Sequence, residues 1–154
     1  MKAKHFRKYI VRAILKEYDC WSERAEELLM FTGVSETGLL DENVVQIGGG
    51  PARGYFQMEP WVCTDLIVNR LANNPAREKN LVDNCSFGTD QQSLKNDVVF
   101  MVLACRYFYM EVPEPLPAAS DVKAIYRYYK KYWNTEAGKA TEKHFMEMWK
   151  KYGD

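Results

Sequence analysis

Along most of the chain, apolar residues recur at intervals of three and four, the spacing that gathers them on one face of an α-helix. Phe6, Tyr9, Ile10, Ala13 and Ile14 predict a first amphipathic helix ending near Tyr18-Asp19. Ala25, Leu28, Leu29 and Thr32 predict a second between Ser22 and Gly38, in which Gly33 either stops the helix or lets a neighbour approach closely. From Leu39 to Ile47 the pattern is short and mixed, with Val44-Val45 as possible β content. Trp61, Leu66, Ile67, Arg70 and Leu71 suit a helix starting near Thr64 or Asp65, stopped at Asn73-Asn74-Pro75 because proline disfavours helix at the residue before it. Arg77 to Phe87 reads as a short, weak helix before a Gly88 turn. Asp90 is placed to cap a long helix through Val98, Val99, Met101, Val102, Cys105, Phe108 and Tyr109. Its apolar residues occupy nearly every angle, as in a helix surrounded on all sides. Pro113, Pro115 and Pro117 make a stiff connector. Ser120-Asp121 then cap a helix with Val122, Ile125, Tyr126, Tyr129 and Trp133, Asn134 to Ala140 turn, and Thr141 opens a last helix with Phe145, Met148, Trp149 and Tyr152. The expectation is a mainly α fold of about six to eight helices around a central apolar one, with at most a small β-hairpin.

Bulk properties narrow the classes. A chain of 154 residues suits one domain, 1–154, with a core that needs no staples. Lys and Arg (21) balance Asp and Glu (21), so there is no electrostatic case for a nucleic-acid partner. No segment approaches a membrane span. Arg7, Lys8, Arg12, Lys16 and Glu17 interrupt the apolar run a signal peptide needs, so the expectation is synthesis in a host cytoplasm without such a signal. Cys20, Cys63, Cys85 and Cys105 form no C-x-x-C pair and read as thiols; His5 and His144 stand at opposite ends, so no metal is expected. No cofactor motif is present: Gly49 and Gly54 have the outer spacing of a P-loop, but Tyr55-Phe56 stand where Lys and Ser/Thr must hold phosphate and magnesium.

Candidate chemistry begins at Glu36, which continues the apolar stripe of the second helix eleven positions beyond Ala25. Burying a carboxylate is costly, and desolvation raises its pKa, which makes a general acid usable near neutrality. The competing reading is a frayed helix end with Glu36 pointing into water. Downstream, Gly48-Gly49-Gly50-Pro51-Ala52-Arg53-Gly54 cannot continue a helix or regular strand, and Tyr55-Phe56-Gln57-Met58-Glu59-Pro60 follows at once.

Glu36-Thr37-Gly38 followed by Gly54-Tyr55-Phe56-Gln57-Met58-Glu59-Pro60 resembles the lysozyme-like superfamily, above all soluble lytic transglycosylases and goose-type lysozymes. Those families carry Glu-Ser at a helix end and a Gly-Leu-Met-Gln-Ile-Met-Pro-like segment some twenty residues on. Here Thr37 replaces Ser, Tyr55-Phe56 replace Leu-Met and Glu59 replaces the second Met. The resemblance spans about residues 22 to 60 and implies a lysozyme-like α+β fold with peptidoglycan glycan strands as partner. It implies that Glu36 is the acid/base and that Gln57 and Met58 line the cleft, Gln57 holding the sugar or orienting Glu36. The Gly54 backbone would pass close beneath the glycan, and Tyr55 and Phe56 could stack on a sugar face. In the family a late-helix tyrosine near an Ala-Tyr-Asn-Ala-Gly segment contacts the Glu; Tyr132-Trp133-Asn134-Thr135-Glu136-Ala137-Gly138 matches it only loosely, and Tyr126, Tyr128, Tyr129, Tyr132 and Trp133 are all candidates for a cleft wall.

Glycoside cleavage usually needs two carboxyl groups. Asp41 and Glu42 are the nearest after Glu36, as a second catalytic carboxylate or as solvated loop acids. Lytic transglycosylases use one Glu and let a substrate hydroxyl attack, which suits a chain without a defensible second acid. The first expectation is thus a phage-encoded peptidoglycan-cleaving enzyme, carried in the virion or released to the cell wall. The second is a virion docking protein that keeps the fold with little or no catalysis; a third is a helical adaptor working through its aromatic C-terminal helices.

Overall fold

The computed structural model describes residues 2–46 and 48–154; Ile47, the end of the mixed segment, lies outside them. The described residues are mainly helical, with eight helices and no sheet. They are α1 (3–17), α2 (Glu23–Thr37), α3 (60–70), α4 (Pro75–Asp83), α5 (Asp90–Asn96), α6 (Val98–Met110), α7 (122–134) and α8 (Glu142–Tyr152). α1, α3 and α7 each contain a π-helical stretch, at Phe6–Val11, Leu66–Arg70 and Lys130–Asn134.

The central helix is α6. Phe100 to Tyr107 are buried without interruption, and Tyr109 joins them, so that α1, α2, α4 and α5 all pack against it. Each large apolar side chain removed from water here contributes roughly 1.5–3 kcal/mol. The one buried cation of α6, Arg106, donates from Nε to the carbonyl of Cys20 at 2.9 Å. Cys20, Cys63 and Cys105 are buried and Cys85 half-buried, all as free thiols.

The long helix expected from Asp90 onward is two helices. Thr89 caps α5 by accepting the Gln92 N–H, and Asp97 leaves the helical region (φ −109°, ψ 105°) to accept the Phe100 N–H as cap of α6. An aspartate carboxylate competes with the backbone for the next turn's N–H groups, which is why the chain bends there. α3 begins earlier than expected, with Pro60 in its first turn, where the missing N–H costs nothing. The β content reduces to two isolated bridges, Val45 with Arg53 and Arg53 with Met58, the latter pair exchanging N–H···O bonds of 3.0 and 3.1 Å.

In α2, Gly33 permits close packing and does not end the helix: a Cβ there would stand 2.9 Å from Leu39 Cδ2 and 3.3 Å from the Phe56 ring. α2 also pairs with α8, where Phe31 stacks on Trp149 with ring centroids 3.7 Å apart.

Candidate functional site

The site is built at the C-terminal end of α2. Ser22 starts that helix by accepting the Ala25 N–H at 3.0 Å, and Gly38 ends it in the left-handed region (φ 63°) with its N–H on Val34. The last turn is fixed by Thr37. Its hydroxyl donates to the carbonyls of Gly33 (3.1 Å) and Tyr55 (2.8 Å), and its oxygen accepts the Leu39 N–H. Gly38 lies against the Tyr152 ring of α8, leaving no room for a side chain.

This anchoring holds Glu36 at the mouth of a groove of about 360 Å³. Its walls include Ser35 and Tyr129, Asn134 at the end of α7, Lys139 and Ala140 from the loop, and His144 of α8. Glu36 keeps some exposed surface, but its carboxyl lies deep, and Oε1 accepts a 2.6 Å hydrogen bond from the Tyr129 hydroxyl. Tyr129 receives the Ser35 hydroxyl at 3.4 Å in turn. Desolvation raises the Glu36 pKa from 4.5 to about 7, against the smaller lowering effect of the Tyr129 hydrogen bond. Burial, followed by the Glu36 charge, pushes the Tyr129 phenol well above its ordinary value, so it stays a donor. Glu36 can therefore carry its proton to neutral pH and, once deprotonated, be stabilised by a fixed O–H dipole.

The expected opposite wall is elsewhere. Gly54, Tyr55, Phe56, Gln57 and Met58 do not line this groove. The Tyr55 and Phe56 rings are buried, Tyr55 edge-on to Phe6 at 5.2 Å, so they serve as core and not as sugar platforms. The Tyr55 hydroxyl donates to Asp41. Met58 is buried as well. Gly54 is required because a Cβ there would stand 2.3 Å from the Leu94 carbonyl; its backbone abuts α5, not a glycan. Gln57 sits at φ 54°, and its side-chain amide donates to the carbonyls of Asn43, Val44 and Gly54, which locks the loop instead of reaching Glu36. The segment is tied to the site's supports through two backbone carbonyls: Tyr55 accepts from Thr37, and Phe56 accepts from Trp133 Nε1 at 3.0 Å. Asp41 and Glu42 lie on an exposed turn outside the groove, which leaves Glu36 as the one carboxylate among its described walls.

Tyr129 is the hydrogen-bond partner of Glu36 that sequence spacing did not single out. Its signal was present: it shares a helical stripe with Ile125 and Trp133, yet four other nearby aromatics competed with it. Asn134 lay in the loosely matching segment, whereas Lys139 and His144 carried no signal, because only the packing of the loop and of α8 beside the end of α2 brings them to Glu36. Among the described residues no three His, Cys, Asp or Glu side chains gather as metal ligands, and no helix is long and apolar enough to cross a membrane. No protein-family model matches the chain, and no curated protein or solved structure matches it.

Proposed function

We propose that the protein is a peptidoglycan-cleaving glycosidase of the lysozyme-like kind, acting on the β-1,4 bond between the two amino sugars with Glu36 as its acid/base. The observation that carries this reading is the desolvated Glu36 carboxyl, with a pKa of about 7, facing a groove and held by the Tyr129 hydroxyl. A late-helix tyrosine on the glutamate is also what the sequence resemblance implies.

In this mechanism the protonated Glu36 delivers its proton to the glycosidic oxygen as the bond breaks. Its carboxylate, steadied by Tyr129, then takes the proton of the sugar's own C6 hydroxyl as that oxygen closes on the anomeric carbon, giving a 1,6-anhydro end. A groove with no second carboxylate among its described walls favours this route over direct hydrolysis, which usually draws on two carboxyl groups. The biological setting in this reading is a phage protein that meets the wall from the virion or after release.

A second reading has its own observation. Tyr55, Phe56, Met58 and the Gln57 amide are all committed to the core and its loop, which suits a virion docking protein that keeps the fold with a retired site. Zymography on purified cell wall separates the two. Clearing by the wild type that falls about 10²–10⁴-fold in Glu36→Gln, with anhydro-ended muropeptides by mass spectrometry, is the expected result. No clearing by folded wild type would sink the enzyme and leave the docking protein.

A further inference from the structure

Beside the Glu36 groove lies a larger one, about 590 Å³, along the outer side of α7. Tyr126 forms part of its wall, and the cations Arg127, Lys130 and Lys131 face a single acid, Glu136. The local excess stands out in a chain whose charges balance. Arg127 is exposed with no partner among the described residues. Lys131 approaches Glu114 only at 3.8 Å, with both side chains largely exposed. Lys130 is half-buried, and its ammonium is held by two neutral acceptors, Asn134 Oδ1 at 2.7 Å and the Gly138 carbonyl at 2.9 Å. Neither acceptor cancels its charge, so the groove keeps a fixed positive potential.

The two grooves share one partition. Asn134, which accepts from Lys130, lines the Glu36 groove, and Lys139 projects into that same groove from the far side of the loop. The loop is built rigidly around Asn134: its Oδ1 also accepts the Ala140 N–H, and a Cβ on Gly138 would stand 2.3 Å from that oxygen. Thr135, on the partition, is held at φ 63° and ψ 173°, a conformation rare outside glycine that survives only where its surroundings enforce it.

We propose that the second groove is a carboxylate-binding subsite, which takes the acidic substituents of a glycan strand whose sugar backbone lies at Glu36. This rests on the glycosidase reading and adds the substrate class: an acidic, peptide-bearing strand is preferred over a neutral one. Two sources offer that carboxylate: the stem peptide where it is present, and the lactyl group where the peptide is absent, since the amide that joins the two leaves the lactyl group uncharged.

The test uses Glu36→Gln protein, so that binding is read without turnover, against three probes. They are uncrosslinked strands with stem peptides, the same strands stripped by an amidase so that only the lactyl carboxylate remains, and chito-oligosaccharides, which carry no carboxylate. Adding Arg127→Gln and Lys131→Gln, both at exposed positions, weakens binding of the peptide-bearing strand about fivefold or more, an effect that shrinks in high salt, and leaves chito-oligosaccharide binding unchanged. A loss confined to the peptide-bearing strand assigns the groove to the stem peptide; a loss confined to the stripped strand assigns it to the freed lactyl carboxylate, and an equal loss on both shows that it takes either. Unchanged affinity for both acidic probes, equal weakening of all three, or no binding at all overturns the subsite. Failure of the glycosidase reading looks different: wild type cuts nothing while the charge-dependent affinity persists.

Discussion

Two glutamates on α2, one buried and one with only its carboxyl drawn inward, meet opposite fates. Glu26, 3% exposed, is enclosed by donors: Arg12 at 2.7 and 2.8 Å, Arg7 at 3.3 Å and Trp21 at 2.6 Å. Burial pushes its pKa up, but the hydrogen bonds from Arg12, Trp21 and Arg7 outweigh that and leave it below its ordinary value. Glu36, ten positions on, has one neutral donor and no ion pair among the described residues, and its pKa rises. The same side chain on the same helix is thus a permanent anion at one end and a neutral acid at the other. Paired charge fastens α1 to α2; unpaired burial stores a proton for chemistry.

The sharpest way to break this contrast is the substitution already described, Glu36→Gln, whose largest effect should fall on cell-wall clearing. Next in size is Glu26→Gln, which takes the countercharge from Arg12 and halves the acceptors around Trp21, while Arg7 keeps Glu27 and Asp154. It should lower stability by about 2–3 kcal/mol, below the range for a fully desolvated pair because Arg12 is partly exposed, as read by urea unfolding. An unchanged midpoint would reduce the Arg7–Glu26–Arg12 cluster to decoration.

The two glutamates also carry opposite pH dependences. Glu36 binds its proton more tightly folded than unfolded, so its contribution is fully present below about 4.5 and is lost as pH rises to about 7. Glu26 has a depressed folded pKa, so its contribution holds above about 4.5 and is lost as pH falls further. In Glu36→Gln, the decline in stability between pH 4.5 and 7 should flatten by about 2 kcal/mol while the acid-side loss stays. Parallel curves for wild type and variant would show that Glu36 titrates like a solvated acid.

The smallest effect is expected from Tyr129→Phe. Removing the hydroxyl takes away the interaction that lowers the Glu36 pKa, so the alkaline limb of kcat/KM, set by loss of the Glu36 proton, should move up by as much as about one pH unit. A limb that stays in place, or moves down, would remove Tyr129 from the acid's electrostatics.

Much of the helical frame was legible because periodicity and caps agreed: Ser22, Asp121 and Thr141 each cap the helix expected of them. The break at Asp97 was not, since a polar stretch from Asp90 can lead straight into the apolar run at Val98 and gives no sign that the Asp97 carboxylate takes the next turn's N–H. Glu36 was found because an acid on an apolar stripe is a local anomaly. The residues around it were misjudged for a physical reason: glycines and aromatics beside a site look alike whether they pack on a ligand or on the protein. For Gly54, the neighbouring Leu94 carbonyl decides the matter, and it lies forty positions away. The second groove draws its lining from 126–137 alone, yet it exists only because 135–140 folds back upon α7, which periodicity does not show.

Thr37 carries a last implication. Its hydroxyl bolts the final turn of α2 to the Tyr55 carbonyl, so the residue just before it inherits a backbone that cannot swivel. Any alcohol of that length would serve, which makes the exchange of threonine for serine chemically silent there. On the glycosidase reading, an acid mounted on such a turn meets each arriving strand with its aim already taken.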